Sequence, residues 1–257
     1  MATQLGAHAD GVADVRALLR VKGRREQSRF AFEGATLLDE ARRSATAVEA
    51  IYATHSAYEN VPLIRELEAL GTRVYIVDDR VAAKISDLET PTGIVAITSL
   101  RVEPLDALLR DPGLVLVLAD LNDPANAGTL LRSAEAFGVA GVVFGRLGVD
   151  PYHPKVVRGA MGAIFRLRLS LADPSELQIA ATARGTTVYG LSVDGTPIES
   201  AVFAPRSALV VGHERRGLGA WEALCTQRLA LAMPGAAESL NAAIAGSIAL
   251  YLARRAG

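Results

Sequence analysis

The stretch LVLVLADLNDPANAGTLLRSAEAFGVAGVVFG, residues 114–145, carries the strongest structural pattern of this sequence. Its first eight residues are almost all apolar, as in a β-strand that is covered on both faces. A segment of helical character follows, and VAGVVFG (139–145) then forms a second apolar run. A strand, a helix and a strand in succession predict one unit of a mostly parallel α/β sheet with helices on both faces.

Shorter patterns extend this architecture in both directions. Toward the C-terminus, strands are predicted at 165–169, 187–192 and 208–211, and helices at 154–161 and 174–183. Before residue 100, short β-branched runs alternate with helices and predict a smaller α/β layer, in which VKGRREQSRFAFEG (21–34) is interpreted as a basic turn leading into a strand. The charged, proline-containing segment that follows predicts a linker. The predicted domains are residues 1–100 and 113–257, joined by a linker at 101–112.

Composition favours a globular protein without a membrane span. Half of the 257 residues are hydrophobic, yet no uninterrupted apolar run approaches the roughly 18 residues that a span needs. The N-terminal MATQLGAHADG lacks the basic and then apolar layout of a signal peptide, so a cytoplasmic protein is expected. The single cysteine, Cys225, is expected to pack in the interior. The histidines His8, His55, His153 and His213 are scattered, which predicts no metal site.

A local basic cluster stands out from a nearly neutral chain. The formal net charge is -1, which alone disfavours a nucleic-acid partner. Between residues 16 and 29, however, Glu26 is the only acid among the cations Arg16, Arg20, Lys22, Arg24, Arg25 and Arg29. Such a run is either a solvated helix face or an RNA-binding patch.

Polar side chains lie at three points where a strand is predicted to end. They are Asn122, Asp123, Asn126 and Arg132 after the first strand of the second domain, Glu214 in GHERRGLG, and Ser239 and Asn241 before an apolar C-terminal helix. Ligands of open α/β sheets bind beyond the carboxyl ends of the strands, so these loops predict the edge of a site. The alternatives are structural, with the asparagines and the serine as helix caps, the arginine as a surface cation and the glutamate as a turn residue. Neither G-x-G-x-x-G nor G-x-x-x-x-G-K-S/T occurs, which disfavours NAD and ATP chemistry.

In chain order, the three loops resemble the three motifs of the SpoU/TrmH branch of the SPOUT RNA methyltransferases. DPANAGTLLRSAEAFG is similar to the first motif, GHERRGL to the second and LAMPGAAESLNAA to the third. RALLRVKGRREQSRFAFEG resembles the RNA substrate-binding domain that precedes the catalytic domain in ribosomal-RNA members. The resemblance covers nearly the whole chain. Its departures are local, with Ala232, Ala243, His213 and Arg215 replacing residues that are usual in the family.

This resemblance implies a fold, a reaction and a set of site residues. The fold would be a small N-terminal α/β RNA-binding domain followed by an α/β methyltransferase domain with a deep trefoil knot. The reaction would be transfer of a methyl group from S-adenosylmethionine to a ribose 2′-hydroxyl by a homodimer, without a metal. The implied catalytic residues are Arg132, Asn126, Glu214, Ser239 and Asn241. The implied cofactor-binding residues are Leu191, Gly212, Gly217, Leu231, Met233 and Leu240, and the implied RNA-binding residues are Arg20, Lys22, Arg24, Arg25 and Arg29.

Arg132 is the central residue of the family's reaction, and its role has two interpretations. A guanidinium stays protonated at neutral pH and is a poor base. We therefore expect Arg132 to fix an RNA phosphate and to stabilise the developing alkoxide, with the role of base as the alternative. In the family this arginine reaches toward the partner's cofactor, so a monomer is expected to be inactive.

The expected substrate is structured RNA, with 23S ribosomal RNA preferred because the first domain resembles that of ribosomal enzymes. A transfer-RNA methyltransferase of the same family is one alternative, and a non-catalytic RNA-binding or assembly protein on the same fold is another. The target nucleotide, and the choice between an antibiotic-resistance and a housekeeping role, are open at this point.

Overall fold

A computed structural model describes residues 3–4, 10–236 and 238–255 of the chain. The described chain forms two compact units. The first unit comprises the described residues up to Leu100 together with Tyr152–Phe165, and the second comprises Arg101–Pro151 and the described residues from Arg166 onward. Within these ranges no helix is both long and apolar enough to cross a lipid bilayer.

The first unit is built, in its described part, on a five-stranded mixed sheet. Its elements up to residue 100 are β1 (Thr3–Gln4), α1 (Asp10–Ala17), α2 (Val21–Gln27), β2 (Arg29–Glu33), α3 (Ala35–Arg43), β3 (Ala50–Thr54), α4 (His55–Asn60), α5 (Pro62–Ala69), β4 (Arg73–Val77), α6 (Asp79–Ile85) and β5 (Ile94–Ser99). The strand order is β1-β4-β3-β5-β2. The pairs of β4 with β1 and β3 are parallel, whereas β2 and β3 run antiparallel to β5. β3 is buried along its whole length, so it lies in the core of this unit.

The remaining elements follow residue 100. They are α7 (Leu105–Leu108), β6 (Gly113–Leu118), α8 (Pro124–Ala136), β7 (Gly141–Gly145), α9 (Pro154–Gly159), β8 (Leu169–Ala172), α10 (Pro174–Arg184), β9 (Thr187–Pro197), β10 (Arg206–Val211), β11 (Gln227–Ala230) and α11 (Ala242–Arg255). Short 3-10 helices span Ala163–Phe165, Ile198–Ser200 and Gly219–Leu224. All of these except α9 and Ala163–Phe165 belong to the second unit.

The second unit contains a parallel sheet with the strand order β11-β9-β10-β6-β7-β8. β6, β7 and β10 are buried at almost every position. A parallel sheet reaches that degree of burial only when both of its faces are covered. The predicted α/β fold class is confirmed, whereas the trefoil threading stays a prediction.

The segment Tyr152–Phe165 interrupts the second unit in sequence and packs within the first. The ring centroid of Tyr152 lies 4.6 Å from that of Phe30, and the ring centroid of Phe165 lies 5.0 Å from that of Phe32. α9 packs against β2. The structure differs here from the predicted domain division, because the helical pattern of 154–161 does not indicate which core its apolar side joins.

Three segments depart from the predicted secondary structure. Residues 21–27 form α2 rather than a basic turn, because most of them are good helix formers and Arg24 donates a 2.9 Å hydrogen bond to the backbone oxygen of Leu18. α4 has no clear apolar periodicity and begins instead at a cap, the hydroxyl of Thr54. β8 begins at residue 169, where the predicted strand ended.

Candidate active site

The candidate site lies at the carboxyl ends of neighbouring strands of the second unit. β6 and β10 are adjacent and parallel, with Leu118 opposite Val211 in the register. β9 and then β11 lie on the other side of β10. The loops that follow these strands emerge at the same edge of the sheet, and they carry the polar residues of the three sequence motifs.

A cleft of about 280 Å³ opens among these loops. Its lining includes every residue that the sequence analysis assigned to the cofactor, namely Leu191, Gly212, Gly217, Leu231, Met233 and Leu240. Glu214 and Ser239 also line it. Residues 231–236 lie outside any helix or strand, so their backbone N–H and C=O groups are not committed to a ladder. The volume is close to the lower end for small-molecule sites, about 300 Å³.

One wall of the cleft depends on a close backbone approach at Gly212. A Cβ atom at this position would lie 2.4 Å from the carbonyl carbon of Gly217, so any larger residue would force the two segments apart. His213 and Gly217 exchange backbone hydrogen bonds of 2.8 and 2.9 Å, and Gly217 has a φ of 58°, in the left-handed region that favours glycine. These bonds close a tight segment, the His213–Gly217 turn.

Three polar residues, one from each motif, form a single hydrogen-bonded chain. Asn241 donates from Nδ2 to Asn126 Oδ1 at 2.9 Å, and Asn126 donates from Nδ2 to Glu214 Oε1 at 2.5 Å. Asn126 is only 6% exposed. Because a carboxylate only accepts hydrogen bonds, Glu214 fixes the orientation of the Asn126 amide. We refer to Asn241, Asn126 and Glu214 together as the motif chain.

The sequence also allowed purely structural roles as helix caps for these residues, and one of them, Asn241, has such a role. The Asn241 Oδ1 accepts hydrogen bonds of 2.9 and 3.2 Å from two backbone N–H groups in the first turn of α11, so this residue caps the helix as well. Asn126 is not a cap, because Asp123 takes that role for α8. Ser239 is exposed at the edge of the cleft.

Arg132 stands apart from the motif chain. It lies on α8 with an exposed side chain, whereas Asn126 on the same helix is buried. Within the described part of the protein, its guanidinium makes no hydrogen bond or ion pair. Arg132 is therefore available to an anionic group from outside the chain.

His213 connects the first and second motif loops by a further contact. Its Nδ1 accepts a 3.0 Å hydrogen bond from the backbone N–H of Arg215, and its Nε2 lies 3.2 Å from the side-chain amide of Asn122. The atom of Asn122 that faces Nε2 is Nδ2. The Nδ1 atom also lies 3.6 Å from the Glu214 carboxylate.

Asp120 supports the site and was missed by the sequence analysis. Its φ of 52° is unusual for a residue with a side chain, and such a conformation costs on the order of 1–3 kcal/mol. The Asp120 Oδ2 accepts a 2.8 Å hydrogen bond from Nε1 of the buried Trp221, and its Oδ1 accepts one of 3.2 Å from the backbone N–H of Leu147. These bonds fix the start of the loop that leads to Asn126. The available signal was an acid directly after an apolar strand, where a carboxylate needs partners.

The basic cluster of the first unit is only partly exposed. Its exposed members among the predicted RNA-binding residues are Arg20, Lys22, Arg25 and Arg29. Arg29 forms a 2.7 Å ion pair with Glu49. Arg24 is 2% exposed, and its guanidinium donates to Leu18. The prediction that Arg24 contacts RNA is therefore wrong, because this side chain stabilises the end of α1 from inside the unit.

In the described part of the chain, the histidines, the acids and the cysteine form no further site. No group of three or more potential metal ligands occurs in the described residues. His8 lies outside those residues, and the imidazole of His55 lies 3.0 Å from the Glu59 carboxylate. Cys225 is partly buried, and desolvation, assisted by the charge of Glu222, raises the pKa of its thiol to about 11.

Comparison with known families divides the sequence into two parts. The SpoU rRNA Methylase family matches residues 113–251, and the MRM3-like substrate binding domain matches residues 10–96. The chain belongs to the SpoU rRNA Methylase family.

Relatives of this SpoU family chain match along much of its length. The 23S rRNA (guanosine(2553)-2'-O)-methyltransferase RlmP of Bacillus subtilis is 30% identical over 243 residues, which cover 93% of this chain and 94% of that protein. The 23S rRNA (uridine(2479)-2'-O)-methyltransferase of Streptomyces viridochromogenes is 32% identical over 176 residues, which cover 65% of this chain and 61% of that protein.

Solved structures with bound cofactor share the fold. An AdoMet-bound rRNA methyltransferase from Sinorhizobium meliloti matches with a TM-score of 0.86 at 26% identity, covering 99% of this chain and 98% of that one. The SpoU methyltransferase AviRb from Streptomyces viridochromogenes, in complex with AdoMet, matches with a TM-score of 0.86 at 26% identity, covering 96% of this chain and 98% of that one. The fold class inferred from the sequence is that of the SpoU methyltransferases.

Proposed function

We propose that this chain transfers a methyl group from S-adenosylmethionine to a ribose 2′-hydroxyl of ribosomal RNA, and that the RNA is 23S rRNA. The observation that carries this proposal is the motif chain at the edge of an apolar cleft. It joins three loops that are far apart in sequence and places a carboxylate and two amides beside a ligand-sized space. We place the reaction in the cytoplasm.

The cleft has the chemistry that this cofactor requires. Its aliphatic lining suits the adenine ring and the methionine chain, and the loop backbone at residues 231–236 offers main-chain polar groups. When bound there, S-adenosylmethionine supplies an electrophilic methyl group on a sulfonium. Leu191, Leu231, Met233 and Leu240 would hold the apolar parts of the cofactor.

The residues of the chain are proposed to position the nucleophile. Transfer of the methyl group depends on an aligned hydroxyl and on removal of the hydroxyl proton more than on covalent catalysis. Asn126 fixes the carboxylate of Glu214, so the orientation of that group is set before the RNA arrives. Ser239 and Asn241 shape the side of the site formed by the third loop. Arg132 is proposed to fix an RNA phosphate and to stabilise the developing alkoxide.

The proposed enzyme is a homodimer in which Arg132 of one chain serves the cleft of its partner. The unpaired, exposed guanidinium supports this arrangement. A second support is an apolar stripe on α11, where Ile244, Ile248 and Tyr251 are 53%, 40% and 46% exposed. Residues three and four positions apart share one face of a helix, and aligned apolar side chains mark an interaction surface. A second copy of the chain would cover them.

The first unit is proposed to bind the RNA. Arg20, Lys22, Arg25 and Arg29 are exposed to solvent, with Lys22 and Arg29 paired to acids. The unit also matches a substrate binding domain. Aromatic residues make up only 5% of the chain, so recognition is proposed to depend on phosphates and RNA shape more than on stacked bases.

The test is transfer of labelled methyl from S-adenosylmethionine to purified ribosomal and transfer RNA. Wild type is compared with Arg132→Ala and with Arg110→Ala, which also removes an exposed arginine but lies just before the amino end of β6, at the opposite edge of the sheet. Ribose methylation blocks alkaline cleavage at the modified position, so mapping alkali resistance identifies the nucleotide.

Alkali-resistant label in 23S rRNA that is lost in Arg132→Ala and kept in Arg110→Ala is the expected result. Label in transfer RNA alone would overturn the choice of substrate. A protein that binds the cofactor and the RNA but methylates neither ribosomal nor transfer RNA would overturn the enzymatic proposal in favour of an RNA-binding or assembly role.

A further inference from the structure

Arginines of the second unit differ in whether an acid neutralises them. Several form ion pairs with a carboxylate: Arg146 with Glu176, Arg166 with Glu135, Arg168 with Glu103, Arg184 with Asp106, and Arg228 with both Asp194 and Glu222. Arg215 and Arg216 are exposed and have no ion pair or side-chain hydrogen bond among the described residues. Two adjacent cations without a counter-charge repel each other. The presence of two neighbouring arginines is therefore not explained by a contribution to the stability of the fold.

The backbone beneath these two arginines is held closely. The His213–Gly217 turn is closed by two backbone hydrogen bonds, and the backbone N–H of Arg215 donates to Nδ1 of His213 at 3.0 Å. Nε2 of His213 in turn contacts Asn122 in the loop after β6. The turn is therefore tied to its own base and to a neighbouring loop. A fixed backbone positions the two guanidinium groups with less loss of conformational freedom on binding.

The position of the turn relates the two arginines to the proposed site. Glu214, the residue before Arg215, lines the cleft and accepts the hydrogen bond from Asn126. The cations are thus one and two residues from a group of the motif chain. Arg110 and Arg254 also form no ion pair and no side-chain hydrogen bond in the described chain. Arg254, however, lies in the last turn of α11, where a helix favours a cation, and Arg110 precedes the amino end of β6.

We infer that Arg215 and Arg216 form a phosphate-binding site for the RNA strand that enters the cleft. This inference rests on the proposed function and identifies a contact for its substrate within the second unit. Guanidinium groups bind phosphate oxygens with two parallel hydrogen bonds. Two such contacts beside Glu214 hold the backbone next to the target ribose, so the site distinguishes a nucleic acid strand from a free nucleoside.

The experiment measures the salt dependence of RNA binding, with in-vitro transcribed 23S rRNA as the RNA. Wild type is compared with Arg215→Ala/Arg216→Ala, with Arg215→Lys/Arg216→Lys and with Arg110→Ala. Each phosphate contact to a single strand contributes about 0.7 to the slope of log K against log salt concentration. The double alanine variant is expected to lower that slope by about 1.4, so that its loss of affinity from about 50 to 200 mM salt is about sevenfold smaller than that of wild type.

The control variants separate the effect of the positive charge on RNA binding from the effect of changing the side chain. The double lysine variant keeps both charges and is expected to keep the slope, and Arg110→Ala is expected to behave as wild type. Cofactor affinity, measured by calorimetry, is expected to be unchanged in the double alanine variant, because substitution keeps the backbone N–H that bonds His213. The KM for RNA is expected to rise more than kcat falls.

Two results would overturn the inference: an unchanged salt slope in the double alanine variant, or an equal change in Arg110→Ala. Neither depends on methyl transfer. If wild type itself transfers no methyl to any RNA, the proposed function fails, while the salt slopes still report whether the two arginines contact phosphate.

Discussion

At the scale of single residues, the candidate site depends on one buried amide. Asn126 accepts from Asn241 and donates to Glu214, so it is the link through which the three motif loops hold each other. A buried polar group that loses its partner costs far more than the bond itself contributed. The geometry of the site is therefore most sensitive at this position.

Asn126→Asp tests that link, because it keeps the side-chain shape, removes the donor to Glu214 and places two carboxyl groups against each other. Hydrogen bonds to charged groups contribute about 1.5–3 kcal/mol, which corresponds to about a 10- to 160-fold fall in kcat. The measurement is the initial rate of labelled methyl transfer to 23S rRNA. Asn122→Asp is the matched control, since Asn122 contacts His213 and not Glu214. Equal rates in the two variants would show that the motif chain does not position the carboxylate.

At the scale of elements, α11 both closes the cleft and packs on α8. Gly246 makes this packing possible, because a Cβ atom there would lie 2.6 Å from Cδ2 of Leu130 and 3.1 Å from Cγ2 of Val211. Asn241 caps the same helix. A displacement of α11 therefore reaches the motif chain through its first turn.

Gly246→Val is expected to lower the free energy of unfolding by about 1–3 kcal/mol, since overpacking forces neighbours to move. Ile179→Val introduces the same side chain at a 72% exposed position of α10 and is expected to change stability by less than about 0.5 kcal/mol. Urea denaturation of both variants measures the difference. Similar midpoints would mean that α11 adjusts without strain.

Two carboxylates at the N-terminus of α10 make the free energy of unfolding depend on pH in the acidic range. The backbone N–H of Glu176 lowers the pKa of Asp173, and Arg146 lowers that of Glu176. Because both pKa values are lower in the folded state, their contribution is complete above the ordinary carboxyl range and is lost as pH falls through the folded values. Asp173→Asn keeps a capping side chain without the charge, so it is expected to be less stable than wild type at pH 7 and to lose less stability in acid, where the two proteins converge. Parallel loss in both proteins, measured by urea denaturation across this range, would contradict the assignment.

Sequence patterns predicted the helices and strands better than they predicted the contacts between residues that are distant in sequence. The apolar run of β6 and the polar residues after it placed Asn126 near Glu214 correctly, because strand ends of a parallel sheet share an edge. The six cleft-lining residues came from family resemblance, since nothing in aliphatic and glycine positions alone indicates a ligand. The burial of Arg24 escaped prediction because charge patterns show composition and not direction. The bonds of Asp120 to Trp221 and Leu147 join residues far apart in sequence, which no local pattern reveals.

At the scale of the whole molecule, the exposed stripe on α11 and the unpaired Arg132 predict that activity requires two copies. Ile244→Glu/Ile248→Glu places charges on the stripe, so a monomer without methyl transfer is expected. Ile179→Glu is the control, since Ile179 is 72% exposed in the same unit and lies on α10. Sedimentation velocity and the methyl-transfer assay report the two quantities. An active monomer would refute the role of the partner chain.

The position of Tyr152–Phe165 in the sequence limits how the two units can be exchanged by gene recombination. This segment contributes aromatic rings to the core around Phe30 and Phe32, and the chain then returns to start β8. An exchange of gene fragments at codon 100 would transfer the strands of the first unit but leave behind Tyr152–Phe165, which fills part of the core of that unit. The two units can therefore be recombined only by replacing two separate stretches of gene at once, and substitutions in one stretch constrain those that the other can accept.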